Sequence, residues 1–282
     1  MAVEEISLEV AAGEVVGIAG PNGAGKSTLI AMLLGYLAPD RGAVRIDGRA
    51  PRAFVEHEGV AYLPELMTIP LTWRLDEAIA RMAALAGVPA AARPAACARA
   101  IEAVGIGEHA RKKLKALSKG NLQRLGLAQA LLADRRVMVF DEPTHGLDPL
   151  WTARFRDIVA GLRRPDRAIL IASHNLDELE RLCDRVAIVD RGRLQRVVSV
   201  READGAVGAL VRRWRIRTAA GVDALAAQLP GAVVTGQMIE CTVDLAALNH
   251  GLATAIAQGA LISSVVPSES SLEEAFRTAV AT

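Results

Sequence analysis

Gly20-Pro21-Asn22-Gly23-Ala24-Gly25-Lys26-Ser27-Thr28 places a glycine, four residues, a second glycine, a lysine and a hydroxyl residue in a row, the spacing of a phosphate-binding loop. Its flanks suit it. Glu14-Val15-Val16-Gly17-Ile18-Ala19 reads as a buried strand entering the loop, and Leu29-Ile30-Ala31-Met32-Leu33-Leu34 as a helix leaving it. Glycines let the backbone turn tightly and aim N–H groups at phosphate oxygens, and the positive end of the following helix favours an anion. A glycine-rich turn of purely structural use does not account for the whole motif standing between a strand and a helix. The stretch predicts a nucleoside triphosphate site in which Lys26 reaches the β- and γ-phosphates and Ser27 ligates Mg²⁺.

Further along, the apolar run Val137-Met138-Val139-Phe140 ends on Asp141-Glu142, and Ala168-Ile169-Leu170-Ile171-Ala172 ends on Ser173-His174. Downstream of a phosphate loop, Asp141 is expected to hold Mg²⁺ through water and Glu142 to polarise an attacking water. Val60-Ala61-Tyr62-Leu63, ending at Pro64-Glu65, and Val186-Ala187-Ile188-Val189, ending at Asp190-Arg191-Gly192, read as further buried strands. Apolar strands separated by helices make a mostly parallel sheet with ligands at its carboxyl edge. An earlier strand is expected over residues 3–10 and a strand with a hairpin turn over residues 43–48. Residues 74–134 carry helical periodicity, and Ser118-Lys119-Gly120-Asn121 opens the helix before the acid pair.

The net charge of +1 steers the chain toward no polyanion. Cys97, Cys183 and Cys241 are far apart and lack metal-ligand spacing, as expected of reduced thiols in a cytoplasmic protein. The N-terminus does not have the form of a signal peptide. No apolar run reaches the roughly 18–20 residues that cross a bilayer, so any membrane role has to come through a partner. Past residue 200 the order strand, helix, two strands, helix, strand suggests a ferredoxin-like appendage.

Leu117-Ser118-Lys119-Gly120-Asn121 resembles the signature sequence of the ATP-binding-cassette (ABC) ATPases, Leu-Ser-Gly-Gly-Gln. Asp141-Glu142-Pro143-Thr144 with Gly146-Leu147-Asp148 is similar to that family's acid pair and dimer loop, and Ser173-His174 to its switch histidine. The resemblance covers about residues 3–200. It implies a P-loop NTPase core with a mostly parallel sheet, an antiparallel β piece and a helical subdomain at about residues 74–134. That nucleotide-binding domain would span residues 1–200, with the small α+β appendage at 201–282. It also implies an ATPase using ATP and Mg²⁺. Two such subunits, expected as a homodimer, face head to tail, with each ATP between one phosphate loop (Gly20 to Thr28) and the other's Ser118, Lys119 and Gly120. Glu142 would be the general base, His174 would hold the γ-phosphate and the attacking water, and Thr28 would reach the α-phosphate. Asp148 lies in the dimer loop, and Glu65 falls where most members place a glutamine linking Mg²⁺ to the transmembrane partner.

Glu65, Lys119 and the ending Ser270-Ser271-Leu272-Glu273-Glu274-Ala275-Phe276 look like the bacterial exporter branch with a separate permease. That places the chain on the cytoplasmic face of the inner membrane as a peripheral subunit. The alternative is a soluble ABC ATPase acting on nucleic acid or ribosomes. It usually shows two cassettes or an inserted coiled coil, neither of which is present, so no nucleic-acid partner is expected. Family members usually carry an adenine-stacking aromatic ahead of the position of Val3. Here the first aromatic is Tyr36, so either the first strand was lost, or the true start precedes Met1, or adenine packs on Val3 alone; if the chain starts at Met1, weak discrimination among bases is expected. His57, His109, His145 and His250 are expected to be surface or loop residues, with His145 the most interesting because it lies between the acid pair and the dimer loop. The cluster Arg212-Arg213-Trp214-Arg215-Ile216-Arg217 reads as a solvated strand. Residues 66–73, apolar and nearly uncharged, are expected to dock the permease.

Overall fold

The computed structural model describes residues 3–200, 212–267 and 271–280. They form two compact units, Met1–Val198 and Ser199–Thr282. Residues 201–211 of the expected appendage, and Ser270 of its closing motif, lie outside the described residues.

The first unit is organised by a six-stranded sheet: β1 (Val15–Ala19), β2 (Ala61–Leu63), β3 (Val137–Asp141), β4 (Ala168–Ser173), β5 (Arg185–Asp190) and β6 (Arg193–Ser199), in the order β2-β3-β4-β1-β5-β6. The contacts of β1 with β4 and β5, of β3 with β4 and of β2 with β3 are all parallel. All five residues of β1 are buried, which explains its unbroken apolar run: a parallel strand covered by helices has no solvent face to mark with polar residues. The helices are α1 (Lys26–Leu33), α2 (Pro51–His57), α3 (Leu75–Leu85), α4 (Arg93–Ala103), α5 (Lys119–Ala130), α6 (Pro149–Leu162) and α7 (Leu176–Leu182). Val16, Ile18, Ile30, Val139, Ala172 and Val189 pack together as one core between the sheet and α1.

Two expected strands differ. Residues 3–10 form no ladder. Glu5 has a positive φ of 51°, which interrupts extended backbone, and Glu4 N–H bonds Gly192 O instead. Ile6, Leu8 and Val10 nevertheless lie against the core, which accounts for their apolar pattern. Residues 43–46 contribute only the bridge Ile46–Arg49 across the turn Asp47-Gly48. The antiparallel part of this sheet is therefore the β5–β6 hairpin. It turns on Arg191 and Gly192, with φ of 48° and 79°, the left-handed pair that a two-residue hairpin requires.

The second unit runs β7 (Arg212–Ala220), α8 (Val222–Ala226), β8 (Val233–Thr235), β9 (Met238–Val243), α9 (Leu245–Ala257), β10 (Leu261–Pro267) and α10 (Ser271–Val280). Its sheet is ordered β10-β7-β9-β8 with every pairing antiparallel. Ile216, Leu225, Ile239, Leu248 and Ala255 fill its core. On the other face Arg213 and Arg215 both reach Glu240 on the neighbouring strand, at 2.6 and 3.1 Å. The cysteines Cys97, Cys183 and Cys241 are free. Among the described residues no helix is long and apolar enough to cross a membrane.

Candidate functional site

Parallel register brings the chemistry to one edge. Ala19 sits beside Ser173, and Asp141 beside Ala172, so the chain leaves β1, β3 and β4 side by side into the phosphate loop, Glu142 and His174. The loop is built by close backbone approach. A Cβ on Gly20 would lie 2.3 Å from Val189 O and 2.9 Å from Ala24 Cβ, so only glycine fits there. Gly25, with φ 105°, delivers the chain into α1. Ala24 is buried, Pro21 and Thr28 are half-buried, and Asn22, Gly23 and Ser27 are exposed. Lys26 is buried. Its Nζ donates to Gly20 O at 2.7 Å and Pro21 O at 3.4 Å, and lies 3.4 Å from Glu142 Oε1. A buried ammonium requires such partners, and these weak acceptors are ones that phosphate oxygens can replace.

The acid pair is held differently at its two members. Ser27 Oγ donates to Asp141 Oδ2 at 3.4 Å. Asp141 Oδ1 is buried without a hydrogen-bond partner among the described residues. Burial, with the charges of Glu142 and Glu65 added, pushes the Asp141 carboxyl up to about 6. Glu142 by contrast is fully engaged. Its Oε2 accepts from Ser173 Oγ at 3.2 Å and lies 2.8 Å from His174 Nδ1, while Oε1 accepts from His174 N–H at 3.1 Å. With Nδ1 turned to the carboxylate, Nε2 of the half-exposed His174 ring is free for another partner. Glu142 has φ 45°, a conformation that costs a non-glycine residue about 1–3 kcal/mol and recurs at functional sites. Buried Gln123 secures this turn from below, its amide donating to Glu142 O and Pro143 O at 3.3 Å each.

An orphaned buried carboxylate oxygen beside a serine hydroxyl suits a hard divalent cation with oxygen ligands. Among the described residues no cluster of three or more His, Cys, Asp or Glu could hold a metal. Mg²⁺ is typically held by one or two carboxylates together with substrate phosphates.

A second group forms around the start of α5. Ser118 caps this helix, its Oγ accepting from Asn121 N–H at 3.2 Å. Gly120 packs so close to residue 146 that a Cβ would meet Gly146 O at 2.9 Å. Lys119 Nζ lies 2.8 Å from His145 Nε2, and His145 Nδ1 lies 3.3 Å from Glu65 Oε1. Asp148 caps α6 by accepting from Trp151 N–H at 2.9 Å. Arg124 stacks on Trp151, 3.5 Å from the ring centroid, and donates to Val104 O and Asn121 Oδ1. Among the described residues no hydrogen bond or ion pair joins Ser118, Lys119 or Gly120 to residues 20–28.

Sequence reasoning missed Gln123, whose only signal is a polar residue on the buried face of an amphipathic helix. It expected His109 to be a surface or loop residue without a specific role. The His109 ring is only 14% exposed, and its Nε2 lies 3.0 Å from Asn121 Nδ2 at the start of α5.

Residues 3–145 match the family model described as ABC transporter. The methionine import ATP-binding protein MetN of Caulobacter vibrioides is 38% identical over 71% of this chain and 63% of its own length. An uncharacterized ABC transporter ATP-binding protein, YhcH of Bacillus subtilis, is 35% identical over 71% of this chain and 66% of its own. The Nod factor export ATP-binding protein I of Paraburkholderia xenovorans is 35% identical over 74% and 67%. This chain thus spans just under two thirds of the first two relatives. Among solved structures, an ATP-binding subunit of an ABC transporter aligns with a TM-score of 0.65 at 28% identity, over 72% of this chain and 86% of that one. A dimeric bacterial ABC transporter cassette aligns with the same TM-score at 19% identity, over 71% and 90%, which shows the shared fold.

Proposed function

The chain belongs to the family of ABC transporter ATP-binding proteins, and on that premise we propose that it hydrolyses Mg·ATP to drive a separate membrane permease. The observation that carries this reading is the convergence of Lys26, Ser27, Asp141, Glu142 and His174 at one sheet edge. Lys26 gives up Gly20 O and Pro21 O for the β- and γ-phosphates, and Thr28 reaches the α-phosphate. Ser27 and Asp141, with the Glu65 carboxylate near them, would hold Mg²⁺, which when bound would supply charge neutralisation at the transferred phosphoryl group. Glu142, fixed by Ser173 and His174, accepts the proton of the attacking water. His174 Nε2 contacts the γ-phosphate.

Ser118, Lys119 and Gly120 make their contacts to a nucleotide held by a second copy of the chain, with Asp148 at the same interface. Two points support this. Ser118 and Lys119 are exposed at the N-terminus of a 12-residue helix, whose dipole and free N–H groups favour an anion. A structural neighbour is described as dimeric. Leu66 and Leu71, 63% and 48% exposed just past Glu65, offer the permease an apolar docking segment. Glu65, Lys119 and the C-terminal motif favour export, at the cytoplasmic face of the membrane. The relatives include an importer and an exporter by name, so direction rests on those residues.

Mixing tests the shared site. Lys26→Ala and Ser118→Arg chains, each inactive alone, restore part of the ATP turnover when combined, because a mixed dimer has one intact composite site. Mixed dimers shown to form yet remaining inactive would place the signature in some other role. Copurification of a membrane-spanning protein with the chain tests the permease.

A further inference from the structure

We propose that His145 is a positioning residue that ties the Glu65 segment and the signature lysine, Lys119, to the turn carrying the catalytic base. The inference rests on the ATPase reading above for its kinetic part and on geometry alone for the rest.

Three separate segments meet at this ring. Lys119 Nζ, which can only donate, lies 2.8 Å from Nε2. Nε2 must therefore be the acceptor, and the proton of the neutral imidazole sits on Nδ1. Nδ1 is buried, has no aligned hydrogen-bond partner, and faces Glu65 Oε1 at 3.3 Å. A buried N–H donor without an acceptor is costly, and Glu65 is the carboxylate within reach. Its side chain is 43% exposed and free enough to rotate onto the ring. The result is an ordered chain in which Lys119 donates to His145 and His145 donates to Glu65.

The ring is not a bystander in that chain. The His145 backbone N–H donates to Glu142 O at 3.0 Å, the same carbonyl that Gln123 holds. The ring and this backbone bond belong to one residue, so in the proposed link a ring pulled toward Lys119 or Glu65 bears on the turn where Glu142 keeps its left-handed φ. The Lys119 side chain passes over Gly146, where an added Cβ would come within 3.2 Å of it. His145 thus lets the Glu65 segment and the start of α5 report on one another through the base, within one chain.

Nitrogen-15 spectra of the histidine-labelled, nucleotide-free protein test the link without any turnover. The wild type is expected to show His145 as the Nδ1–H tautomer, and the double variant Lys119→Met, Glu65→Ala, which removes both partners, to return it to the Nε2–H form that predominates in water. An Nε2–H ring in the wild type overturns the proposal. Kinetics provide the second arm. His145→Leu should lower kcat by about ten- to a hundred-fold, as expected for a misplaced catalytic group, with ATP affinity within twofold of wild type. His145→Gln, which keeps one acceptor and one donor, should recover most of the rate. Equal rates for the Leu and wild-type proteins, or Gln no better than Leu, also overturn it. A wild-type chain that turns over no ATP would refute the ATPase reading instead, and the tautomer would still decide the link.

Discussion

Replacing Asp141 by Asn is expected to make the nucleotide-free protein more stable at neutral pH while removing its Mg²⁺-dependent function. Asp141 is 4% exposed, its Oδ1 has no partner among the described residues, and its carboxyl sits at about 6 against an ordinary 3.8, from burial first and the Glu142 and Glu65 charges second. The folded chain therefore holds this proton more tightly than the unfolded chain does. Between about pH 4 and 6 the folded state binds more protons, so stability falls as pH rises through that window and stays lowered above it. The lowering is at most about 3 kcal/mol, and solvent screening at the mouth of the site reduces it to about 1–2 kcal/mol. Asn keeps the shape, still accepts from Ser27, and carries no charge. In a domain of this size about 1 kcal/mol moves Tm by roughly 2–4 °C. The variant should thus melt about 2–8 °C above wild type at pH 7.5 without Mg²⁺ or nucleotide, and the gap should close toward pH 4. Thermal unfolding at pH 7.5 and 4.5 measures both. An Asn variant that melts at or below wild type at pH 7.5 would refute the reasoning, because the site would then not be a carboxylate waiting for a cation.

Two further substitutions probe the frame of the site. Gly20→Ala puts a Cβ 2.3 Å from Val189 O, a backbone atom that cannot yield cheaply, so urea unfolding should show a loss of about 1–3 kcal/mol or more together with weakened ATP binding. Gln123→Leu removes the amide donor shared by two buried carbonyls, stranding that of Pro143 and leaving that of Glu142 only the His145 N–H, and should cost about 1–3 kcal/mol, with kcat falling more than ATP affinity.

What could be read from the chain before its fold was known follows from the range of each interaction. The glycine loop, the acids at the end of an apolar strand and the Ser118 cap are encoded within a few residues, so composition and period expose them. The strand expected at residues 3–10 failed because a strand also needs a partner. Its apolar alternation records packing on the core, whereas the ladder it would need is absent and residues 43–46 reduce to one bridge. Gln123, His109 and His145 act through contacts with residues 19, 12 and 26 positions away. A polar residue on the buried face of a helix marks Gln123 as buried, but nothing in the local pattern says that it supports a catalytic turn. The left-handed φ of Glu142 was equally hidden, since glutamate does not advertise that conformation as glycine does.

The central claim, that the acid pair at the end of β3 hydrolyses ATP with Glu142 as its base, is tested most directly by steady-state turnover and ATP affinity of the Glu142→Gln protein. The amide keeps an acceptor for Ser173 Oγ and the volume of the side chain but cannot take a proton from water. Turnover is predicted to fall by about 10²–10⁴-fold while ATP still binds with Mg²⁺, and ATP held without hydrolysis should shift the protein toward a dimer on sizing. A Glu142→Gln protein that hydrolyses ATP at the wild-type rate would contradict the account.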